Sequence, residues 1–308
     1  LEFKIAGEVE ASAAQRLLVD NAATVSGGGA PTAQVSSPVE VETSQPFGLL
    51  RSDFEPLEAD GSTSSQAGGQ PATVSGMFEL PTVGGWQGEH QLGVWPSEYA
   101  RDAFVYLPPG AVGDPTSLPT CPLAAIQGPL GSTPAAGCPA ASRVGTVLFG
   151  GSESYNASIE ETPANLTYLY NMAPEDGYPA EFAFDIIGKP VTLHAEVVHA
   201  GVPGGYALRI GTPQIPKIGL AQLNSIRLTF WGSPATHNGA VTSPESFFRN
   251  PVTCSGPLTA KTEVDSWESP GAWSTQEAAA YPGLEGCGAL TFAPTFRMRP
   301  EAGTADTP

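Results

Sequence analysis

Lysine is nearly missing from this chain: Lys4, Lys189, Lys217 and Lys261 are all there are in 308 residues. Lysine and arginine together number 13 against 31 aspartates and glutamates, a formal net charge of −18. Phosphate recognition needs clustered cations, so this balance argues against nucleic acid or an anionic lipid surface as partner. It also keeps neighbouring molecules apart in solution. Charged residues of both signs make up only 14%, against roughly a quarter in ordinary globular chains. Polarity therefore falls to Ser, Thr, Asn, Gln and the backbone. Long apolar runs are missing too, and nothing approaches the ~20 residues of a membrane-spanning helix. No leader peptide and no initiator methionine are visible. The chain opens on Leu1-Glu2-Phe3, already in strand-like alternation, and reads as a mature or excised piece of something longer.

Cysteine is scarce but placed in two close pairs, Cys121 with Cys138 and Cys254 with Cys287, in a chain holding 36 glycines and 31 prolines. Four cysteines allow three connectivities. Local pairing is the expectation, each link closing a Gly- and Pro-rich loop and contributing roughly 3 kcal/mol by restricting the unfolded chain. The alternatives are reduced core thiols or a metal site. Neither pair has CxxC spacing and no histidine lies nearby, which disfavours zinc. Two disulfides imply an oxidising compartment, hence a secreted or cell-surface protein.

What remains plentiful is alternation. Phe3, Ile5 and Val9, then Leu17, Val19, Ala23 and Val25, then Val35, Val39 and Val41 alternate with polar neighbours as half-buried strands do. Ser26-Gly27-Gly28-Gly29-Ala30-Pro31 breaks the second from the third. Strands this few cannot bury one face alone, so residues 1–45 are expected to lie on the body, on an upstream part or on another molecule. Residues 46–298 are expected to form the main module and 299–308 a mobile tail. Asp60 to Gly69 reads as a polar loop. From Thr73 onward short apolar runs recur between turns, at Phe104–Leu107, Val144–Phe149, Phe182–Ile187, Val191–Val198, Tyr206–Ile210 and Ile226–Trp231. Many short strands of this spacing predict an all-β fold, a β-sandwich of Greek-key type. Helix is expected in two places only: one turn at Pro122–Ile126, and a capping box at Ser274-Thr275-Gln276-Glu277 ahead of Ala278-Ala279-Ala280.

Several ordered motifs resemble a little-characterised module of large secreted proteins from soil actinobacteria. They include Tyr106-Leu107-Pro108-Pro109-Gly110, Thr120-Cys121-Pro122, Cys138-Pro139-Ala140-Ala141-Ser142-Arg143-Val144-Gly145 and Tyr168-Leu169-Tyr170-Asn171-Met172. Pro179 to Phe184, Leu228 to Ala235, Cys254-Ser255-Gly256-Pro257-Leu258, Asp265 to Gly271 and Leu284-Glu285-Gly286-Cys287 complete the set, over roughly residues 46–298. The resemblance implies a surface or secreted location and little chemistry. Asp20 to Ala30 resembles the closing strand of immunoglobulin-like repeats of bacterial surface proteins, whose arrays serve as stalks, fibres or adhesins.

Candidate chemistry is thin. His194 and His199 fall on opposite faces of a strand, wrong for a shared metal, and HExxH is absent. Ser152 lacks the following glycine of a nucleophile elbow. Asp265 and Glu268 flank Trp267, with Trp273 nearby, a composition that can bind sugar by ring stacking and hydroxyl hydrogen bonds. A core tryptophan with solvated acids is the plainer reading. Asn156 and Asn165 begin formal glycosylation sequons. Lys189 and Lys217 are the candidates for an intramolecular isopeptide bond, which needs an apolar core around the lysine.

The sequence therefore favours a non-catalytic structural module of an extracellular or cell-surface protein, without cofactor or metal. It is expected to assemble with neighbouring modules or copies of itself by β-strand complementation. Phe3, Ile5, Val9, Leu17, Val19, Val25, Val35, Val39 and Val41 would supply the contact. The alternative is a carbohydrate-binding or glycan-degrading domain using exposed tryptophans, drawn from Trp86, Trp95, Trp231, Trp267 and Trp273, with acids beside them.

Overall fold

The computed structural model describes residues 17–41, 46–87, 91–126, 137–150, 166–186, 188–200, 205–217, 223–239 and 246–291. Strands β1 (Leu17–Gly27) and β2 (Ala30–Val41) form a two-stranded ribbon of their own. Their turn is two residues long, and Gly28 and Gly29 have φ of 63° and 79°. Positive φ at both central positions is what a type I′ hairpin demands, and only glycine adopts it freely.

The body follows with β3 (Arg51–Leu57), β4 (Thr73–Glu79), β5 (Thr82–Gln87), β6 (Gln91–Pro96), β7 (Ala100–Tyr106) and β8 (Val112–Gly113). After the single turn α1 (Leu123–Ile126) come β9 (Arg143–Gly150), β10 (Leu166–Met172), β11 (Ala180–Ile186), β12 (Lys189–His199), β13 (Tyr206–Thr212) and β14 (Ser225–Trp231). The second turn, α2 (Pro234–His237), precedes β15 (Phe248–Arg249), β16 (Leu258–Ser266) and β17 (Ser274–Tyr281). The predicted runs in the body fall on β7, β9 and β11 to β14. Strand β3 alternates as well, with Ser52, Phe54 and Pro56 inward.

Eleven strands make one antiparallel sheet in the order β17-β16-β7-β13-β12-β11-β10-β9-β14-β4-β3. Strands β9 to β13 form a meander, and β14 returns to lie beside β9, which is a Greek-key connection. The sheet rolls until its ends meet. Leu49, just before β3, donates its backbone N–H to Ser274 Oγ (2.9 Å) and accepts from Gln276 Nε2 (2.8 Å). Ser52 and Thr262 share a buried hydroxyl hydrogen bond of 2.6 Å. Phe54 and Val74 from one end accordingly pack with Ala260, Ala278, Ala280 and Tyr281 from the other. A larger core of Phe78, Val144, Val147, Leu169, Phe182, Phe184, Val191, Leu193 and Ile226 fills the opposite part of the interior. The fold is thus all-β and of sandwich type, with its core between facing layers of a single rolled sheet.

The helix expected from the capping box at Ser274 is instead β17. Ser274 and Gln276 spend their side chains on the backbone of Leu49, and Ala278 and Ala280 are small enough to bury against the core. Tertiary contact overrides the local signal. The polar loop after Asp60 is likewise anchored at its far end. Ser64 is fully buried, and Asn250 Nδ2 donates to its hydroxyl at 2.8 Å.

Both disulfides are local. Cys121–Cys138 has its Cα atoms 5.4 Å apart, and Cys254–Cys287 6.1 Å. The first sits in a small core with Ile126, Tyr170, Met172 and Ala183. The second is peripheral, with Cys254 exposed.

Candidate functional site

Two surfaces stand out. The first is the ribbon. Its register pairs Ala23 with Val35 and Val25 with Ala33, so these four side chains share one face. Thr24 with Gln34 and Ala22 with Ser36 occupy the other. Every side chain from residue 22 to 36 is exposed; Val25 is 70% and Val35 67% accessible. Leu17–Val41 and Val19–Val39 continue the same register towards the base. No charged residue lies between Asp20 and Glu40. Phe3, Ile5 and Val9 lie outside the described residues.

The second is the outer face of β13, β7 and β16. Register sets Tyr106 between Arg209 and Lys261, and Phe104 between Gly211 and Glu263. The inward positions Ala103, Val105 and Leu107 leave Phe104 and Tyr106 facing out. Arg209 stacks over Phe104 at 4.5 Å and Lys261 over Tyr106 at 3.8 Å. The cations are paired, Arg209 with Glu196 at 2.5 Å and Lys261 with Glu263 at 2.5 Å, while the Tyr106 hydroxyl donates to Glu263 at 2.8 Å. Burial opposes the charge of Arg209, but its bonds to Tyr106 and Glu196 outweigh that and raise its pKa. Trp273 adds to this face, 5.9 Å from Phe104 and 45% exposed. Trp273 is a sugar-binding candidate from the sequence, whereas Phe104 and Tyr106 are there only part of an apolar run. The available signal was the aromatic pair Phe104 and Tyr106 at alternate positions of one strand.

The rest of the proposed sugar set takes other work. Asp265 is fully buried and accepts the backbone N–H groups of Asp102 (3.0 Å) and Gly271 (2.6 Å). Trp267 donates its indole N–H to Ile215 O at 2.9 Å, beneath the side chains of Arg101 and Lys217. Glu268 pairs with Lys217 at 2.9 Å and accepts the Tyr99 N–H at 3.0 Å. Partial burial works against its charge, but these bonds prevail and lower its pKa. These three residues pin the 265–271 turn rather than present a stacking platform. Trp231 is half-buried between Tyr168 and His237.

His194 and His199 sit five positions apart on β12, one against Tyr178 and Glu181, the other against Tyr206. Among the described residues no group of three or more His, Cys, Asp or Glu is placed to hold a metal ion. Lys217 is tied to Glu268 and Lys189 is exposed, so neither has the apolar surroundings an isopeptide bond needs. Ser152, Asn156 and Asn165 lie outside the described residues, and for Trp86 and Trp95 only the backbone pairing of β5 with β6 is described. No helix of the described residues is long and apolar enough to cross a membrane. Comparison with known protein families, with curated proteins and with solved structures finds no match to this chain.

Proposed function

We propose that this chain is a non-catalytic structural module of an extracellular or cell-surface protein, and that the β1–β2 ribbon is its means of assembly with a second copy. The single observation behind the reading is an amphipathic ribbon whose described side chains are all exposed. A two-stranded hairpin alone is marginal in water; one that offers an apolar face and open strand edges gains stability by docking on another sheet. Its freedom from charge adds support. In a chain of net charge −18, the stretch between Asp20 and Glu40 is where two copies approach with least repulsion. The two local disulfides and the resemblances to secreted and surface modules fit the location.

Sedimentation and electron microscopy of the full chain test the reading. The native chain associates, and a Val25→Asp, Val35→Asp double variant is monomeric with an unchanged melting temperature of the body. A native chain that stays strictly monomeric at high concentration overturns it.

A second reading keeps one specific observation, Trp273 exposed beside Phe104. A glycan array probed with the native chain and with Trp273→Ala decides it: binding lost in the variant supports glycan recognition, and no binding by the native chain removes it.

A further inference from the structure

The core does not fill the interior of the rolled sheet throughout. Gly76, Val105, Ile210, Ile226, Leu228 and Phe230 surround a cavity of about 80 Å³, and a second of about 80 Å³ adjoins it through Leu107, Ile210, Phe230 and Phe248. Val105, Ile210, Leu228 and Phe230 line the interior yet stay only half-buried. Side chains in a close-packed core do not retain such surface. The cause is geometric. About eight strands close around a space that side chains can fill or that holds one small ligand, and this sheet has eleven. Strand β4 even places a glycine on the inner face, and a Cβ built on Gly76 would meet nothing within 4 Å.

The lining chemistry is equally definite. Thr212 is the one polar side chain among the described lining residues, and its hydroxyl is spent on Pro213 O at 3.2 Å. Among the described residues no ionisable group lines either cavity. A charged or hydrogen-bonding guest would give up its hydration with nothing to replace it. An uncharged hydrocarbon has no hydrogen bonds to lose, and leaving water is favourable for it. An apolar cavity of roughly 150 Å³ stays dry and takes benzene or xenon, and the two adjoining volumes together match that size. We propose that this cavity pair is a binding site for small uncharged apolar molecules of about benzene size. It is independent of what the ribbon docks on, since no residue of β1 or β2 is among the described lining residues.

The test uses benzene, benzoate and xenon on the full chain. Benzene raises the melting temperature by a few degrees in proportion to log concentration, benzoate does not, and xenon-pressurised crystals show a peak between Gly76 and Ile210. Gly76→Leu fills the space, so benzene stabilisation and the xenon peak are both lost. Leu228→Phe does the same from β14 and serves if the first variant does not fold. No xenon peak in the native chain, stabilisation by benzoate equal to that by benzene, or benzene stabilisation undiminished in the folded variants would each overturn the proposal.

Discussion

At the residue scale the buried polar groups carry the most specific claims. Tyr281 is fully buried, donates to Asn250 Oδ1 at 2.9 Å, and burial pushes its pKa above the ordinary tyrosine value. Raised in the folded state, this group binds its proton more tightly there than in the unfolded chain. Its contribution is whole below pH ~10 and is lost as pH climbs beyond it. Urea unfolding at pH 9 and 11 should therefore show a fall in stability that Tyr281→Phe reduces. At neutral pH the same substitution costs about 1 kcal/mol, because Asn250 Oδ1 loses its donor. Asn171 is a comparable pin, donating to Pro115 O at 2.9 Å and Leu118 O at 3.2 Å. Neither partnership was legible in the sequence, since each joins residues far apart in the chain. The spacing of Asp60 and Ser62 was readable as a turn, and its hydrogen bonds lower the Asp60 pKa.

At the element scale, local pattern made β9, β11, β12 and β14 readable as short apolar runs: β12 buries alternate residues, Val191, Leu193 and Ala195, whereas all seven residues of β11 are buried. It failed at β17, whose helix-like start answers to Leu49, more than two hundred residues earlier in the chain. The cysteine pairing was legible from spacing alone, and the structure adds an order of vulnerability. Cys121 is fully buried whereas Cys254 is exposed. Timed alkylation under mild reductant should label Cys254 and Cys287 first, with Cys121 and Cys138 following only as the fold opens. Loss of either link costs about 3 kcal/mol in denaturant midpoints. Strand β13 crosses β7 at Gly211, where an added Cβ would strike Ala103 O and the Phe104 ring. Gly211→Ala should destabilise by about 1–3 kcal/mol in thermal unfolding, and should disturb the Phe104–Trp273 contact, visible in tryptophan fluorescence.

At the scale of the whole molecule, charge and ribbon act against one another. Copies carrying −18 each repel over roughly 10 Å at 0.1 M salt, and less as salt rises. Self-association through the uncharged ribbon should strengthen between about 0.02 and 0.5 M sodium chloride, as read by light scattering. Weaker association at high salt would point instead to ionic contacts such as those of Lys217 or Lys261. Composition made this antagonism legible, and alternation showed the ribbon's strands. Their pairing with each other rested on the Gly28-Gly29 turn, and their exposure is a tertiary fact that no local pattern contains.

The seam where the sheet closes has a consequence for how the molecule comes into being. Leu49 meets Ser274 and Gln276, and Ser52 meets Thr262, across separations of 225, 227 and 210 residues. A chain emerging from the ribosome or an export channel, N-terminus first, can build the β9–β13 meander early. Strand β3 can pair with β4, but its seam cannot close until β16 and β17 have followed. Until then Phe54 and Val74 lack the part of their wall that Ala260, Ala278, Ala280 and Tyr281 supply, and the nascent chain carries an open, aggregation-prone edge. Maturation is thus gated by the last strand to arrive, and truncation before Tyr281 leaves an unclosed sheet rather than a slightly smaller module.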